Sequence, residues 1–292
     1  MGRELFLHIG THKTGTTSLQ IILANNEEKL ASHGVYVPKT GRNSLLPGHH
    51  NLAWELNDDE RFDPSTGNIQ ALREELSNVF QPRVILSSED FEYLYCREDR
   101  LGLLKSLADS LGRDIYAVVC FRDWAGYANS LYAELAKHGL TKSVEYFVNE
   151  IVVSGEFVFN EHWRFCFDYP KIVAGFQKVF GADRVLWYSY RRGIEEPFFT
   201  AMGLGAFYAQ LGGEYTTNES IGPAAVNALI VLNRKAQRQN MPPAQFYENR
   251  ERIMTQMSEK DSGVKFSGIS GPLKNRLEHR FRKARHWLDG GI

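Results

Sequence analysis

The chain has 292 residues, 43% of them hydrophobic and 12% aromatic, enough for one large α/β domain with a substantial core. Its formal net charge of −1 excludes bulk electrostatic binding to nucleic acid or to an anionic membrane, so any positive potential must be local. Three widely spaced cysteines, Cys96, Cys120 and Cys166, give no disulfide framework and no CxxC metal pair, and they fit a reducing compartment.

In chain order, Leu5–Ile9 reads as a buried parallel strand, and Thr16 to about Ser32 as a helix closed by Gly34. Val35–Val37 is a short second strand. Residues 38–50 are loop with a Pro47-Gly48 turn signal, and Leu52–Leu56 and residues 69–80 read as helical. Arg83–Ser87 is a third strand. Leu101, Leu104, Leu107 and Leu111 mark one face of a helix closed by Gly112. Ile115–Phe121 is the strongest strand. Helices are expected from Trp124 to about His138, over Ser143–Val153 and over Tyr169–Phe180, with a last core strand at Arg184–Trp187. From Ile221 the pattern is helical, over Ala224–Arg238, Ala244–Met257 and Leu273–Leu288.

Strands alternating with helices predict an α/β fold: a three-layer parallel sheet with helices on both faces. No linker or internal repeat interrupts it, so the expectation is one domain, with its core at about 4–200 and a helical C-terminal extension at about 221–292. No secretory signal precedes the first strand and no apolar stretch is long enough to span a bilayer, which predicts a cytoplasmic protein without membrane insertion.

Residues 8–20 read His-Ile-Gly-Thr-His-Lys-Thr-Gly-Thr-Thr-Ser-Leu-Gln, a strand running into a glycine-bounded loop and then a helix. Successive backbone N–H groups there converge on an anion, and the helix dipole favours it. Gly10 and Gly15 keep the spacing of the ATP-binding loop, but Thr16 stands where that loop carries its lysine, and the only lysine, Lys13, lies inside.

Lys-x-Gly-Thr-Thr after a strand resembles the 5′-phosphosulfate loop of sulfotransferases, which use 3′-phosphoadenosine 5′-phosphosulfate (PAPS) as sulfuryl donor. The resemblance implies the P-loop NTPase-like fold of that family. It assigns Thr11, His12, Lys13, Thr14, Gly15, Thr16, Thr17 and Ser18 to the 5′-phosphosulfate end. In that family the 3′-phosphate is met by an Arg at a strand end and a Ser on the following helix. Here Arg122 closes the strongest strand and Ser130 follows eight residues on, although Trp124 stands where the family usually has proline. Arg supplies a permanently charged fork for phosphate and Ser a hydroxyl donor. The late strand and its end, Tyr188 and Tyr190, resemble the segment that brings an aromatic ring near the adenine. Asn218-Glu219-Ser220 resembles a segment of bacterial relatives, with helix capping as the plain alternative for Ser220. Lys265, Lys274, Arg276, Arg280 and Arg282 are further candidates for the 3′-phosphate, or a solvated face.

Sulfuryl transfer requires charge stabilisation on the leaving phosphate, removal of a proton from the acceptor hydroxyl, and in-line geometry. Lys13 is the candidate for the first. Glu89, after the third strand, and His50, after the Pro47-Gly48 turn, are the two candidates for the base. No metal is expected, and the product would be adenosine 3′,5′-bisphosphate. The acceptor implied by the family is a carbohydrate or small metabolite bearing a hydroxyl, with no nucleic-acid partner. Two alternatives stay open: a P-loop kinase or NTPase with Ser87–Asp90 as its Mg²⁺-holding strand end, against which the missing lysine after Gly15 argues, and a non-catalytic nucleotide-binding module.

Overall fold

The computed structural model describes residues 2–43, 45–211, 221–261 and 263–290. In chain order the strands are β1 (Glu4–His8), β2 (Val35–Tyr36), β3 (Arg83–Ser87), β4 (Asp114–Phe121), β5 (Glu156–Val158), β6 (Arg164–Cys166) and β7 (Val185–Ser189). The helices are α1 (Thr16–Asn25), α2 (Glu27–Ser32), α3 (His50–Asn57), α4 (Ile69–Ser77), α5 (Glu98–Ser110), α6 (Trp124–Lys137), α7 (Val144–Ser154), α8 (Tyr169–Phe180), α9 (Glu195–Ala201), α10 (Gly205–Tyr208), α11 (Pro223–Gln239), α12 (Pro243–Asp261), α13 (Gly271–Arg280) and α14 (His286–Asp289). None of these is long and apolar enough to cross a membrane.

Contacts divide the chain into two compact units. The first comprises Met1–Arg122, Asp168–Thr217 and Lys283–Ile292; the second comprises Asp123–Phe167 and Asn218–Arg282. The segment read from sequence as a C-terminal extension is therefore shared, with α11 to α13 in the second unit and α14 in the first.

The first unit is built on a five-stranded sheet in the order β2-β3-β1-β4-β7, with every pair parallel. Alternation along the strands sends Phe6, Ile85, Val118, Cys120 and Tyr188 to one face, where they pack with Leu19, Ile22 and Leu23 of α1 and Phe198 and Phe199 of α9. Leu5, Leu7, Val84, Leu86, Ala117 and Phe121 face the other way, and Phe121 stacks on Tyr169 of α8. The predicted three-layer α/β fold is the observed one. β1 sits between β3 and β4, where the direction of strand addition reverses. In parallel sheets that switch point opens the crevice beyond the strands' carboxyl ends, where ligands bind.

The predicted helix over Thr16–Ser32 is two helices. Asn26 separates them, and its Nδ2 donates to the Ile22 carbonyl (2.9 Å), a local bond that competes with helix propagation. The stretch after β3 carries a 3₁₀ helix, Glu89–Cys96. Pattern reading also passed over α9, α10 and the antiparallel β5–β6 hairpin, all too short for a clear period.

In the second unit Trp124 is core: its Nε1–H donates to the Phe167 carbonyl (3.0 Å) and its ring stacks on Phe281. Asp123 caps α6 through Gly126 N–H (2.8 Å). Asp261 accepts from Ala224 and Ala225 at the start of α11, and Asn233 ties α11 to the end of α6 through the Ala136 and Leu140 carbonyls.

At the amino end of the sheet, buried Arg113 donates to the carbonyls of Val79, Gln81, Pro82 and Glu4, closing the strand starts together. Arg113→Met would leave these carbonyls unpaired, and a loss of about 2–4 kcal/mol is expected in urea unfolding. A loss below about 1 kcal/mol would mean that solvent replaces the guanidinium.

Candidate active site

All parts of the site belong to the first unit. Beyond β1 the chain turns through left-handed conformations at Gly10 (φ 88°), Lys13 (φ 61°) and Gly15 (φ 84°) before entering α1. At Gly10 a side chain would meet Glu89 Cβ at 3.1 Å, so the missing Cβ lets the ends of β1 and β3 approach. The loop is sewn to β4: Thr11 N–H and Oγ1 both donate to the Cys120 carbonyl (3.0 and 3.2 Å), and Cys120 N–H donates to Gly10 (2.5 Å). The N–H groups of Thr14, Gly15, Thr16 and Thr17 find no acceptor among the described residues. They are the unsatisfied donors of a helix start together with the turn before it, and they form an anion cradle.

The structure divides the eight residues assigned to this cradle. Thr14 Oγ1 is spent on the Thr11 carbonyl (2.5 Å), Thr11 Oγ1 on Cys120, and Ser18 Oγ on the carboxylate of Glu195. Their side chains shape the loop rather than present donors to a ligand. Gly15, Thr16, Thr17 and the backbone of Thr14 face the cradle with free N–H groups, beside Lys13.

Arg122 follows the last residue of β4, and its Nη1 donates to the Lys13 carbonyl (2.8 Å), while its guanidinium lies 5.0 Å from the centre of the Tyr190 ring. Its Nε and Nη2 make no hydrogen bond among the described residues. Tyr190 also lies near Gly15. Tyr188, the other aromatic candidate, is fully buried in the core and faces no site. Ser130 lies on α6, in the second unit. Of the C-terminal basic candidates, Arg276 and Arg280 bond to Asn149 and to the Val152 carbonyl, and Lys274 pairs with Glu278. Asn218-Glu219-Ser220 lies outside the described residues.

The chain after β3 supplies the opposite wall. Ser88 caps the 3₁₀ helix by accepting from Asp90 N–H (3.2 Å), which frees the Glu89 and Asp90 carboxylates from capping. Glu89 Oε2 accepts from Gln20 Nε2 (2.9 Å), four residues along α1 from Thr16. His50 opens α3, with Nδ1 2.9 Å from Ser88 Oγ and 3.5 Å from Asp90 Oδ2. His49 makes a different set of bonds from His50: its Nδ1 accepts from Ser87 N–H (3.0 Å), which leaves Nε2–H to donate to the Pro38 carbonyl.

Asp90 is the hub of this wall. It accepts from Trp54 Nε1 (2.7 Å), lies 3.3 Å from His12 Nε2 and pairs with His50 and Arg61. His12 is held again by Glu92, through Nδ1 (2.9 Å) and its backbone N–H (3.1 Å), and its ring stacks on Tyr93. The sequence pattern places Asp90 only in the Ser87–Asp90 strand end of the kinase alternative and singles out neither Gln20 nor Glu92, and the bond from Trp54 to Asp90 joins positions 36 residues apart. The only trace of Gln20 was its helical spacing from Thr16.

The charges follow from these contacts. Burial opposes charge on His12, but its hydrogen bonds to Asp90 and Glu92 push its pKa up to about 10. Burial also opposes charge on Asp90, whose carboxyl is nevertheless held far below the ordinary range by His12 and His50. His50 is raised above the ordinary histidine value against its burial, chiefly by Glu89 and Asp90. Glu89 is lowered against its burial, by His50 and His12. An ionised Glu89 can accept a proton, and Lys13 and the cradle can hold an anion beside it. Among the described residues no group of His, Cys, Asp or Glu side chains is arranged to hold a metal ion.

Burial drives two further histidines to neutrality, His8 to about 4 and His49 to about 3. Their folded pKa values lie below the unfolded value near 6.5, so their contribution is present above that pH and is lost as pH falls towards 4. The His12 contribution has the opposite sign: it is complete below pH 6.5 and is lost as pH rises through about 10. Stability measured by urea unfolding is therefore expected to peak near neutral pH, with the acid limb flattened in His49→Gln and the alkaline limb flattened in His12→Gln.

No family model matches the chain, and no curated protein does. A solved structure of a sulfotransferase from Alicyclobacillus acidocaldarius is similar over 90% of this chain and 95% of its own, at 16% identity and a TM-score of 0.46.

Proposed function

We propose that the chain is a PAPS-dependent sulfotransferase that places a sulfuryl group on a hydroxyl of a carbohydrate or small metabolite. The observation that carries this reading is the loop itself. A lysine lies inside it, and four backbone N–H groups stand free at its junction with α1. Glu89, at the neighbouring strand end, approaches its first glycine with its Cα and Cβ and bonds its carboxylate to Gln20 of α1.

In this reading the N–H groups of Thr14 to Thr17 and the hydroxyls of Thr16 and Thr17 hold the 5′-phosphate. Lys13 neutralises charge on the bridging and leaving oxygens. Arg122, whose Nε and Nη2 are left over from its bond to the loop, binds phosphate, and Tyr190 beside it offers a ring face to the adenine. Glu89 takes the proton of the acceptor hydroxyl as its oxygen bonds to sulfur and the bond from sulfur to the bridging oxygen breaks. The other product is adenosine 3′,5′-bisphosphate. Glu89 is preferred over His50 because its neighbours hold it ionised, whereas those of His50 hold it protonated.

Calorimetry with adenosine 3′,5′-bisphosphate in the presence of a chelator tests the reading. Binding is expected without Mg²⁺, weakened at least about tenfold in Lys13→Ala and Arg122→Ala. Mg²⁺-dependent ATP binding in preference to the bisphosphate would overturn it in favour of a kinase or NTPase. With labelled PAPS and an acceptor panel, Glu89→Gln is expected to lower kcat by about 10²–10⁴-fold at unchanged bisphosphate affinity, and His50→Gln by less. The reverse ranking would move the base to His50.

A further inference from the structure

His12 lies inside the loop, yet it bonds away from the cradle. Its two ring nitrogens lie against two different carboxylates, Nδ1 2.9 Å from Glu92 and Nε2 3.3 Å from Asp90. A neutral imidazole would turn a lone pair towards one of them, whereas an imidazolium donates to both. The backbone N–H of His12 also donates to Glu92 (3.1 Å), and Tyr93 stacks on the ring with its hydroxyl 3.2 Å from Nε2. The next residue, Lys13, has a left-handed backbone, which costs a side-chain-bearing residue of order 1 kcal/mol or more unless its surroundings fix it. Arg122 fixes it from one side through the Lys13 carbonyl, and His12 fixes the chain from the other.

We propose that His12 is a positioning residue: a cation clamped between Asp90 and Glu92 that fastens the loop carrying Lys13 to the segment carrying Glu89. The clamp extends through Asp90 to His50 and Trp54, so the anion-holding and proton-accepting walls keep one alignment. The role in turnover rests on the transfer reading above; the clamp does not. The charged and titratable groups facing His12 are Asp90, Glu92 and Tyr93 directly, with Glu89, His50 and Arg61 around them.

The test uses His12→Gln, which keeps one donor and removes the charge, and Glu92→Gln, which keeps His12 and removes one of its anchors. In His12→Gln, kcat with labelled PAPS is expected to fall at least about tenfold while bisphosphate affinity changes less than about threefold, because the cradle itself is built on β4 and α1. In His12→Gln the acid limb of the kcat–pH profile should move to higher pH, since Glu89 loses a cation that favours its ionised form, whereas Glu92→Gln, in which Asp90 still holds the His12 cation at acid pH, should not raise it. A merely structural defect would lower folded content without moving that limb. A folded His12→Gln with unchanged kcat and unchanged acid limb overturns the proposal. Independently of turnover, ring-nitrogen NMR of the unmodified protein should show His12 doubly protonated at pH 8; a neutral ring at pH 7 overturns the clamp whatever the activity. A protein that transfers no sulfate but shows the cation loses the transfer reading and keeps the clamp.

Discussion

The arrangement depends on how closely the ends of β1 and β3 approach. Gly10 has no Cβ, and Glu89 Cβ and Cα, with His12 N, crowd the space a side chain would need. Only because of that approach does a loop after one strand share its wall with a carboxylate after another. Register fixes the rest: His8 stands opposite Ser87, so the next few residues on each strand leave the sheet side by side. The parallel order with β1 in the middle then puts both exits at the switch point of the sheet.

Electrostatics at the site are arranged in pairs rather than in bulk. A chain with a net charge of −1 creates little long-range field. Around the loop, however, His12 meets Asp90 and Glu92, His50 meets Asp90, and Arg61 meets Asp59 and Asp90. Buried ions of this kind are costly unless paired and hydrogen-bonded; here each has a charged partner, while Glu92 Oε1 has no hydrogen-bond partner among the described residues. The pairing leaves the backbone N–H groups of residues 14–17, flanked by Lys13 and Arg122, as the anion-attracting part of the wall. In the proposed reading the anion-holding groups at residues 13–17 and the proton acceptor Glu89 thus stand on different segments.

Much of what seals the loop is backbone chemistry. Two carbonyls, Cys120 and Thr11, take up the hydroxyls of Thr11 and Thr14, and Ser18 bonds to Glu195. These residues look like ligand contacts in a motif, because Thr and Ser are the types that bind phosphate, but the same hydroxyls also close tight turns. Which of the two they do depends on what stands opposite, and here β4 and α9 stand opposite.

The sequence by itself determined the elements whose signals are local: the apolar runs of β1, β3, β4 and β7, the glycine-bounded loop with Lys13, the arginine that closes β4, and the α/β alternation that predicts a layered parallel sheet. Each is encoded within a dozen residues by periodicity, glycine placement or charge. Tertiary structure alone decided that Trp124 is core, that Tyr188 is buried while Tyr190 lies beside Arg122, and that His12 is held by carboxylates eighty residues away. It also brought Gln20, Trp54, Asp90 and Glu92 to the site and divided the chain into two units. These outcomes rest on contacts between distant segments, and no window of sequence carries the distance between two strands that meet only when the sheet forms.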